Sequence, residues 1–400
     1  MTASHRATFR NSHPLGPWNL CLTHDPSLAG LYRAVNDFST GLQAPILSFD
    51  DGRIDRTGLS ATDGAHRIRC DGSFIFRDCH LLSRAATQQA ERLLSDASLI
   101  VVHSLFRAHV AWARRWSLQH GKPYWIVPHG CLDPWGLRHR AVRKRLWLSL
   151  SGTPCLADAD RVVFSSHKEH DKARRWLPKD NGVVVHWPVA LPDLANRTDR
   201  RMRFRSTYGI PGDARLLLYV GRLHTMKRPT DTVRAFAAAA GSVGYLLIVG
   251  MDGNLTRSQV QAAIPPGMLQ RIRVVGELNG TSLSDAMMAS DVFVSLSRRE
   301  NYGYALCDAL AHGLPIIATP GHDIIGELPV GPSGDIACGW RLENDRLSSA
   351  AAAIARAVSC SAAELTSIGL IGREWATGNL SHRQFRSSLF SLTRIAHSPS

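Results

Sequence analysis

Short runs of Val, Ile and Leu recur along this 400-residue chain, continuous rather than alternating with polar positions. In the first half they fall at Asn19–Thr23, Pro45–Phe49, Leu99–His103, Tyr124–His129, Arg161–Ser165 and Val183–Trp187. In the second they fall at Leu216–Gly221, Tyr245–Gly250, Ile272–Gly276, Val292–Leu296 and Pro315–Thr319. Unbroken apolar runs of this length predict strands buried on both faces of a parallel sheet. Amphipathic stretches between them, such as Thr230–Ala240 and Tyr302–His312, predict helices. Strand then helix at spacings of roughly 20 to 30 residues is the signature of βαβ units in a doubly wound sheet. The pattern occurs twice, so the expected fold class is α/β with two doubly wound domains.

The stretch Pro188–Arg203 has two prolines, a cluster of arginines and no apolar periodicity, and reads as a linker with solvated charge. The expected domains are therefore 1–195 and 196–375, followed by a C-terminal helix over 376–400 that packs back on the first. After Trp340 an Ala/Ser-rich helix is expected at Leu347–Val358, and another helical segment near Ser381–Ala396. Length agrees, since two domains of about 200 residues are comfortable where one core is not.

An apolar share of 44% is that of a globular chain. No run of about 18 apolar residues occurs, so no conventional membrane-spanning helix is expected. The N-terminus, MTASHRATFRNSHPLGPW, lacks the apolar core of a secretory signal. The expected location is the cytoplasm. Cysteines 21, 70, 79, 131, 155, 307, 338 and 360 show no CxxC pair or zinc-ligand spacing, so reduced structural thiols are expected. The net charge is +14, with a basic surplus in both halves. Such a diffuse field favours anionic partners: a diphosphate donor, an anionic lipid carrier, the inner membrane surface or nucleic acid.

Two motifs follow predicted strands, at the ends where open parallel sheets bind ligands. The first is Gly221-Arg222-Leu223-His224-Thr225-Met226-Lys227-Arg228-Pro229. Gly221 permits a sharp exit from the strand, and Pro229 suits the first turn of a helix. Arg222 and Lys227 thus lie on a strand-to-helix loop, where a cation pair neutralises a diphosphate or is simply solvated. The second motif runs from Glu300 to Pro315 (ENYGYALCDALAHGLP). A helix starting near Tyr302 makes the amides of Tyr302, Gly303 and Tyr304 an anion site. Glu300 and Asp308 would then sit roughly 10 Å apart, too far for an acid/base dyad but suited to gripping two ends of one long ligand. One acid near a helix N-terminus as a dipole partner is the plainer alternative.

Together the two motifs resemble the retaining glycosyltransferases of family 4, whose fold is the GT-B type with two facing Rossmann-like domains. That family's pattern is matched at Gly221, Arg222, Lys227, Glu300, Gly303, Ala309, Ala311, Gly313 and Pro315. Asp308 stands where the family has Glu. Ile248–Gly253, Ala289-Ser290-Asp291 and Gly339-Trp340 add to the resemblance, as do Val127–Trp135 and Ser165–Glu169 in the first half. The family's Gly-Gly turn is represented only by Ala29-Gly30. The resemblance implies diphosphate contacts from Arg222 and Lys227, donor-sugar contacts from Glu300, and a ribose contact from Asp308. In such folds base contacts are largely backbone, near Gly276–Gly280, and Gly276, Glu277 and Asn301 are placed on the donor. Gly30 falls on the acceptor side. Retention implies attack on the face from which the diphosphate departs, with the departing phosphate taking the acceptor's proton. Arg222, Lys227 and the amides near Gly303 then stabilise the leaving group, with no metal or other cofactor. The implied partners are a nucleotide-sugar donor and a glycan or polyprenyl-diphosphate-linked acceptor, as in exopolysaccharide or lipopolysaccharide synthesis.

His129 ends a predicted strand beside Gly130, facing the interdomain crevice, and is expected to contact the donor sugar or phosphate. His103 also ends a strand and is placed on the acceptor side, against the alternative of a satisfied core histidine. Asp158-Ala159-Asp160 precedes a strand and reads as a solvated turn rather than a metal site. The basic run Arg138–Arg145, between Trp135 and Trp147, reads either as an anchor on an anionic bilayer or as a solvated helix face. Among other functions, a nicotinamide oxidoreductase would need G-x-G-x-x-G, which is absent. A nucleic-acid binder would carry a helix-turn-helix, zinc or RNP signature, also absent, so no nucleic-acid partner is expected. A GT-B sugar-nucleotide epimerase is the nearest alternative, and Glu300 and Asp308 beside the Arg/Lys loop argue for transfer.

Overall fold

A computed structural model describes residues 16–50, 65–70, 82–138, 140–239 and 244–395. Most of the polar N-terminal segment, Cys79, His139, Ala240 and Ala396 lie outside the described residues. The chain forms two compact units. One takes its described residues from Met1–Phe164, Lys172–Val183 and Leu389–Ser400, the other from Ser165–Asp171 and Val184–Ser388.

The first sheet has seven strands: β1 (Pro17–Cys21), β2 (Ile46–Asp50), β3 (Ala65–Arg69), β4 (Leu99–His103), β5 (Tyr124–Val127), β6 (Arg161–Phe164) and β7 (Gly182–Val184). Their order is β3-β2-β1-β4-β5-β6-β7. The second sheet has six: β8 (Arg215–Val220), β9 (Gly244–Val249), β10 (Ile272–Val275), β11 (Val292–Ser295), β12 (Ile316–Ala318) and β13 (Gly339–Arg341), ordered β10-β9-β8-β11-β12-β13. Pairing is parallel, as the continuous apolar runs require. Every residue of β4, β5 and β11 is buried. The second core gathers Leu217, Tyr219, Phe236, Ile248, Val294, Ile317 and Trp340 between the sheet and its helices.

Two edge strands escaped the apolar pattern. β3 reads Ala-His-Arg-Ile-Arg and buries only Ile68. β13 is three residues long, and its Gly339 lies so close to β12 that a Cβ would stand 2.1 Å from the Ile316 carbonyl oxygen. Edge strands bury little side-chain surface, so hydrophobicity marks them weakly. The expected linker also differs from what is found: residues from Arg197 onward form the helix Arg197–Thr207. Three of its arginines are fixed: Arg201 bonds Asp291 at 2.9 Å, Arg205 bonds the same carboxylate, and Arg200 pairs with Asp285.

Candidate active site

In the second unit the strand order reverses between β8 and β11, and ligands bind at such switch points, outside the carboxyl ends of the strands. The loops leaving these two neighbouring strands are the two motifs singled out above. The first, 221–228, is laid against the loop after β9. Leu223 N–H donates to Met251 O at 2.8 Å and Leu255 N–H to Leu223 O at 3.0 Å. Contact this close needs glycine on the facing loop: a Cβ on Gly250 would lie 1.9 Å from Gly221 O, and one on Gly253 2.6 Å from Leu223 O. The Tyr219 hydroxyl donates to Arg222 O at 3.2 Å, leaving the Arg222 side chain exposed at the loop's edge. Arg228, with φ +58, bonds Asp231 at 2.7 Å and Asp345 O at 2.7 Å, and so anchors the following helix.

The second loop joins the first through Arg298 N–H, which donates to Met226 O at 2.9 Å. The ammonium of Lys227 meets the Glu300 carboxylate directly. Burial pushes the Lys227 ammonium down to about 8, with the Arg222 charge adding to the shift. Glu300 is itself held by backbone bonds, its N–H on Gly321 O at 2.9 Å and its carbonyl accepting from Asp323 N–H at 3.0 Å. Gly303 (φ +83) then turns the chain into the helix Tyr304–Ala311, and a Cβ there would press on Glu300 Cγ at 3.0 Å. The helix thus starts at Tyr304, two residues past Tyr302. Tyr302 is buried instead, its hydroxyl donating to Trp187 O. Asn301 Nδ2 donates to Ser165 Oγ at 3.3 Å. The positive end of this helix points at the Lys227–Glu300 pair's loop, while Asp308 lies half-buried one turn further along. The helix is seated by glycines: Gly369 of the helix Ala362–Asn379 approaches Gly313 O so closely that a Cβ would stand 2.0 Å away.

Sequence reasoning missed His322, which backs this site. It is buried behind Gly303, takes a hydrogen bond at Nε2 from Ser295 Oγ (2.8 Å) and donates from Nδ1 to Thr319 O (3.2 Å). Burial holds it neutral, pushed down to about 3. Its place after β12, another strand end, was the available signal. At the sheet edge, Gly276 follows β10 and accepts from Gly250 N–H at 3.3 Å, and Glu277 beside it is exposed.

In the first unit the order reverses between β1 and β4. Gly30 opens the helix Gly30–Leu42 after Ala29, which holds φ +46 where the family has glycine. His103, expected on the acceptor side, is fully buried, so it reaches no ligand itself. Its Nε2 donates to Asn19 Oδ1 at 3.1 Å, and its Nδ1 accepts from His129 Nε2 at 3.0 Å. That tautomer follows from Asn19, whose Nδ2 is turned to Ala44 O. Desolvation pushes His129 down to about 3, and burial with the neighbouring histidines carries His103 well below its ordinary value. His129 (φ +50) is thus held as a neutral ring whose Nε2 donates to His103. Asp158 pairs with Arg114 at 2.6 Å, and Asp160 accepts from Trp125 Nε1 at 3.0 Å. Of the basic run, Arg140, Arg143 and Lys144 line a cavity, and Arg138, Arg140 and Arg145 are exposed.

The family model described as Glycosyl transferases group 1 matches residues 201–368, and the Glycosyl transferase 4-like domain matches residues 29–188. The chain belongs to the group 1 glycosyltransferases. Its fold class is accordingly GT-B, two Rossmann-like parallel-sheet units. Among relatives of this glycosyltransferase is the D-inositol 3-phosphate glycosyltransferase of Streptomyces avermitilis, 29% identical over 187 residues. That match covers 44% of this chain and 39% of the relative, so the chain spans well under half the length of that protein. Among solved structures, Anabaena HepE in complex with UDP and glucose superposes with a TM-score of 0.74 at 13% identity, covering 95% of this chain and all of HepE. Sucrose-phosphate synthase from Thermosynechococcus elongatus superposes at 0.70 and 19% identity, over 96% of this glycosyltransferase and 100% of that chain.

Proposed function

We propose that this glycosyltransferase binds a nucleotide-sugar on its second unit and passes the sugar to a glycan or lipid-linked acceptor with retention of configuration. The observation that carries the reading is the Lys227–Glu300 pair, held at the β8/β11 switch point beside the helix Tyr304–Ala311. A group that must bind both a diphosphate and a sugar needs a cation and a carboxylate side by side. In this reading Arg222, Lys227 and the helix start at Gly303 and Tyr304 take the diphosphate, with Gly221 giving the loop its exit. Glu300, with Asn301 alongside, takes sugar hydroxyls, and Asp308 reaches the ribose, directly or through water. Gly276 and Glu277 flank the base. His129, positioned by His103, contacts the donor sugar or phosphate, and Gly30 serves the acceptor side. Tyr302 shapes the loop from behind.

During transfer the bond from the anomeric carbon to the diphosphate breaks. A bond from the acceptor oxygen forms on the same face, and the acceptor's proton goes to the departing phosphate oxygen. The protein's part is to stabilise the charge that grows on the leaving group. That charge is met by Arg222, Lys227 and helix amides, so the reaction is proposed to need no metal. Support for the donor class comes from HepE, solved in complex with UDP and with UDP-glucose.

The test is to incubate the protein with radiolabelled UDP-glucose and other labelled nucleotide-sugars, with and without a bacterial lipid extract. Transfer moves label from nucleotide into lipid or glycan. Label that stays on the nucleotide while the sugar changes identity would establish an epimerase instead.

A further inference from the structure

The helix Tyr304–Ala311 runs out into His312-Gly313-Leu314-Pro315, where Gly313 (φ +70) turns the chain away. The last carbonyls of a helix lack partners within it. Here His312 folds back to supply them. Its backbone N–H donates to Asp308 O at 3.0 Å, and its ring Nδ1 donates to the same oxygen at 2.6 Å. One residue thus grips the Asp308 peptide twice.

The other ring nitrogen reaches a different helix. A neutral imidazole that donates from Nδ1 is an acceptor at Nε2, and Ser284 Oγ donates to it at 3.0 Å. The ring is buried. Burial above all, helped by the charges of Arg197 and Arg373, pushes it down against the opposing pull of Asp308, and so keeps it neutral. Ser284 lies early in the helix Gly280–Ala289, which opens directly from the loop 276–280 after β10. That helix is pinned at its far end, where Arg201 and Arg205 donate to Ala289 O at 2.8 and 2.9 Å. At its near end Asn279 supplies no side-chain cap. What steadies it there is Arg200, paired with Asp285 and 3.4 Å from Thr281 O, together with the Ser284–His312 bond.

The chain Ser284–His312–Asp308 therefore joins two helices that meet different parts of one ligand in the donor reading. The first carries the loop beside the base and the second carries the ribose acid. Asp308 is one methylene shorter than the family's Glu, with one torsion fewer for finding a hydroxyl. Its reach is therefore set by where its backbone stands. Base and ribose are joined by a single torsion, so a nucleoside absorbs little error in the spacing of the two helices. The diphosphate is held apart from this chain, by Arg222, Lys227 and the start of the helix, about two turns from His312.

We propose that Ser284 and His312 are positioning residues that fix the distance between the loop 276–280 and Asp308, and so give the site its preference for a nucleoside diphosphate over bare diphosphate. This rests on the donor reading above, and neither residue touches the ligand itself.

The full chain is titrated by calorimetry with UDP, GDP, ADP and inorganic diphosphate, and the nucleotide that wild type binds most tightly becomes the probe. Ser284→Ala and His312→Ala should each weaken that nucleotide about three- to tenfold, the cost of a lost hydrogen bond or two. Inorganic diphosphate should bind both variants as it binds wild type. His312→Asn, whose amide still donates toward Asp308 O, should lose no more than Ser284→Ala does. In an Asp308→Ala background, His312→Ala should cost about twofold or less, a non-additivity that general loosening of the fold does not produce. Equal weakening of nucleotide and inorganic diphosphate would overturn the proposal. So would wild-type nucleotide affinity in Ser284→Ala, which removes one half-buried hydroxyl and leaves the fold intact. Failure of the donor reading looks different: Asp308→Ala then binds nucleotide as wild type does, or wild type binds none of the three, and the positioning role falls with it.

Discussion

At the residue scale the decisive group is Lys227. Its ammonium sits against Glu300, yet burial and Arg222 bring it down to about 8. Below that pH the side chain is charged and can meet a diphosphate. As pH rises through it, the proton leaves and that contact is lost. We therefore expect kcat/KM for the donor to be level near neutrality and to fall about tenfold per pH unit on the alkaline side of 8, because this parameter reports the free enzyme. Lys227→Arg should remove the alkaline limb, since a guanidinium stays charged, though its planar fork replaces a point charge. Lys227→Ala should cost about 2–4 kcal/mol in the barrier. A pH profile unchanged by Lys227→Arg would show that another group sets the limb. Both Lys227 and Glu300 were legible as motif members 73 residues apart, but their direct contact was not. His103 was read from its strand-end position as acceptor-facing, whereas its two side-chain bonds bury it behind His129.

At the scale of elements, Asp291 is a structural clamp. It stands before β11 at the amino ends of the strands, opposite the site. It takes Arg201 and Arg205 at 2.9 Å each and the Leu216 N–H at 2.7 Å. Arg205 is 1% exposed and also caps Ala289 O, Pro211 O, Gly212 O and Ala214 O. One carboxylate thus ties the helix Arg197–Thr207 to the starts of both strands that bear the site. Removing one partner of such a buried cluster leaves charge uncompensated, so Asp291→Ala should destabilise the protein by about 3–5 kcal/mol. The check is the denaturant midpoint, with no change in donor KM for the protein that remains folded. A drop in kcat at full stability would move Asp291 into the catalytic account. The Ala289-Ser290-Asp291 motif was visible in the sequence, but its meaning depended on arginines some 86 to 90 residues away.

At the scale of the whole molecule, the net charge of +14 is spent in at least two ways. Arginines such as Arg201 and Arg205 fasten elements together, while a second group lines the cavity of the first unit. Among the described residues no single helix is long and apolar enough to cross a membrane, and Leu365, Gly369, Gly372 and Ala376 of the longest are buried. Because side chains and helix amides are proposed to carry the leaving-group charge, transfer should continue in excess EDTA at its original rate. Complete loss, restored by Mg²⁺ or Mn²⁺, would contradict that mechanism.

The sequence by itself determined the two parallel sheets, because strands buried on both faces must be apolar throughout and the loops at their ends carry the motifs. It also determined the family and the residues at the β8/β11 reversal, since glycines at close approaches and charges on strand-to-helix loops leave local marks. Only the tertiary structure decided which charges meet. The Lys227–Glu300 pair, the His129–His103–Asn19 chain and the Asp291 clamp join residues far apart in sequence. It likewise converted the Arg138–Arg145 run from a uniform basic stretch into exposed and cavity-lining positions. The reason is physical: burial and hydrogen-bond partners follow from packing, and packing between distant segments leaves no periodicity for the chain alone to display.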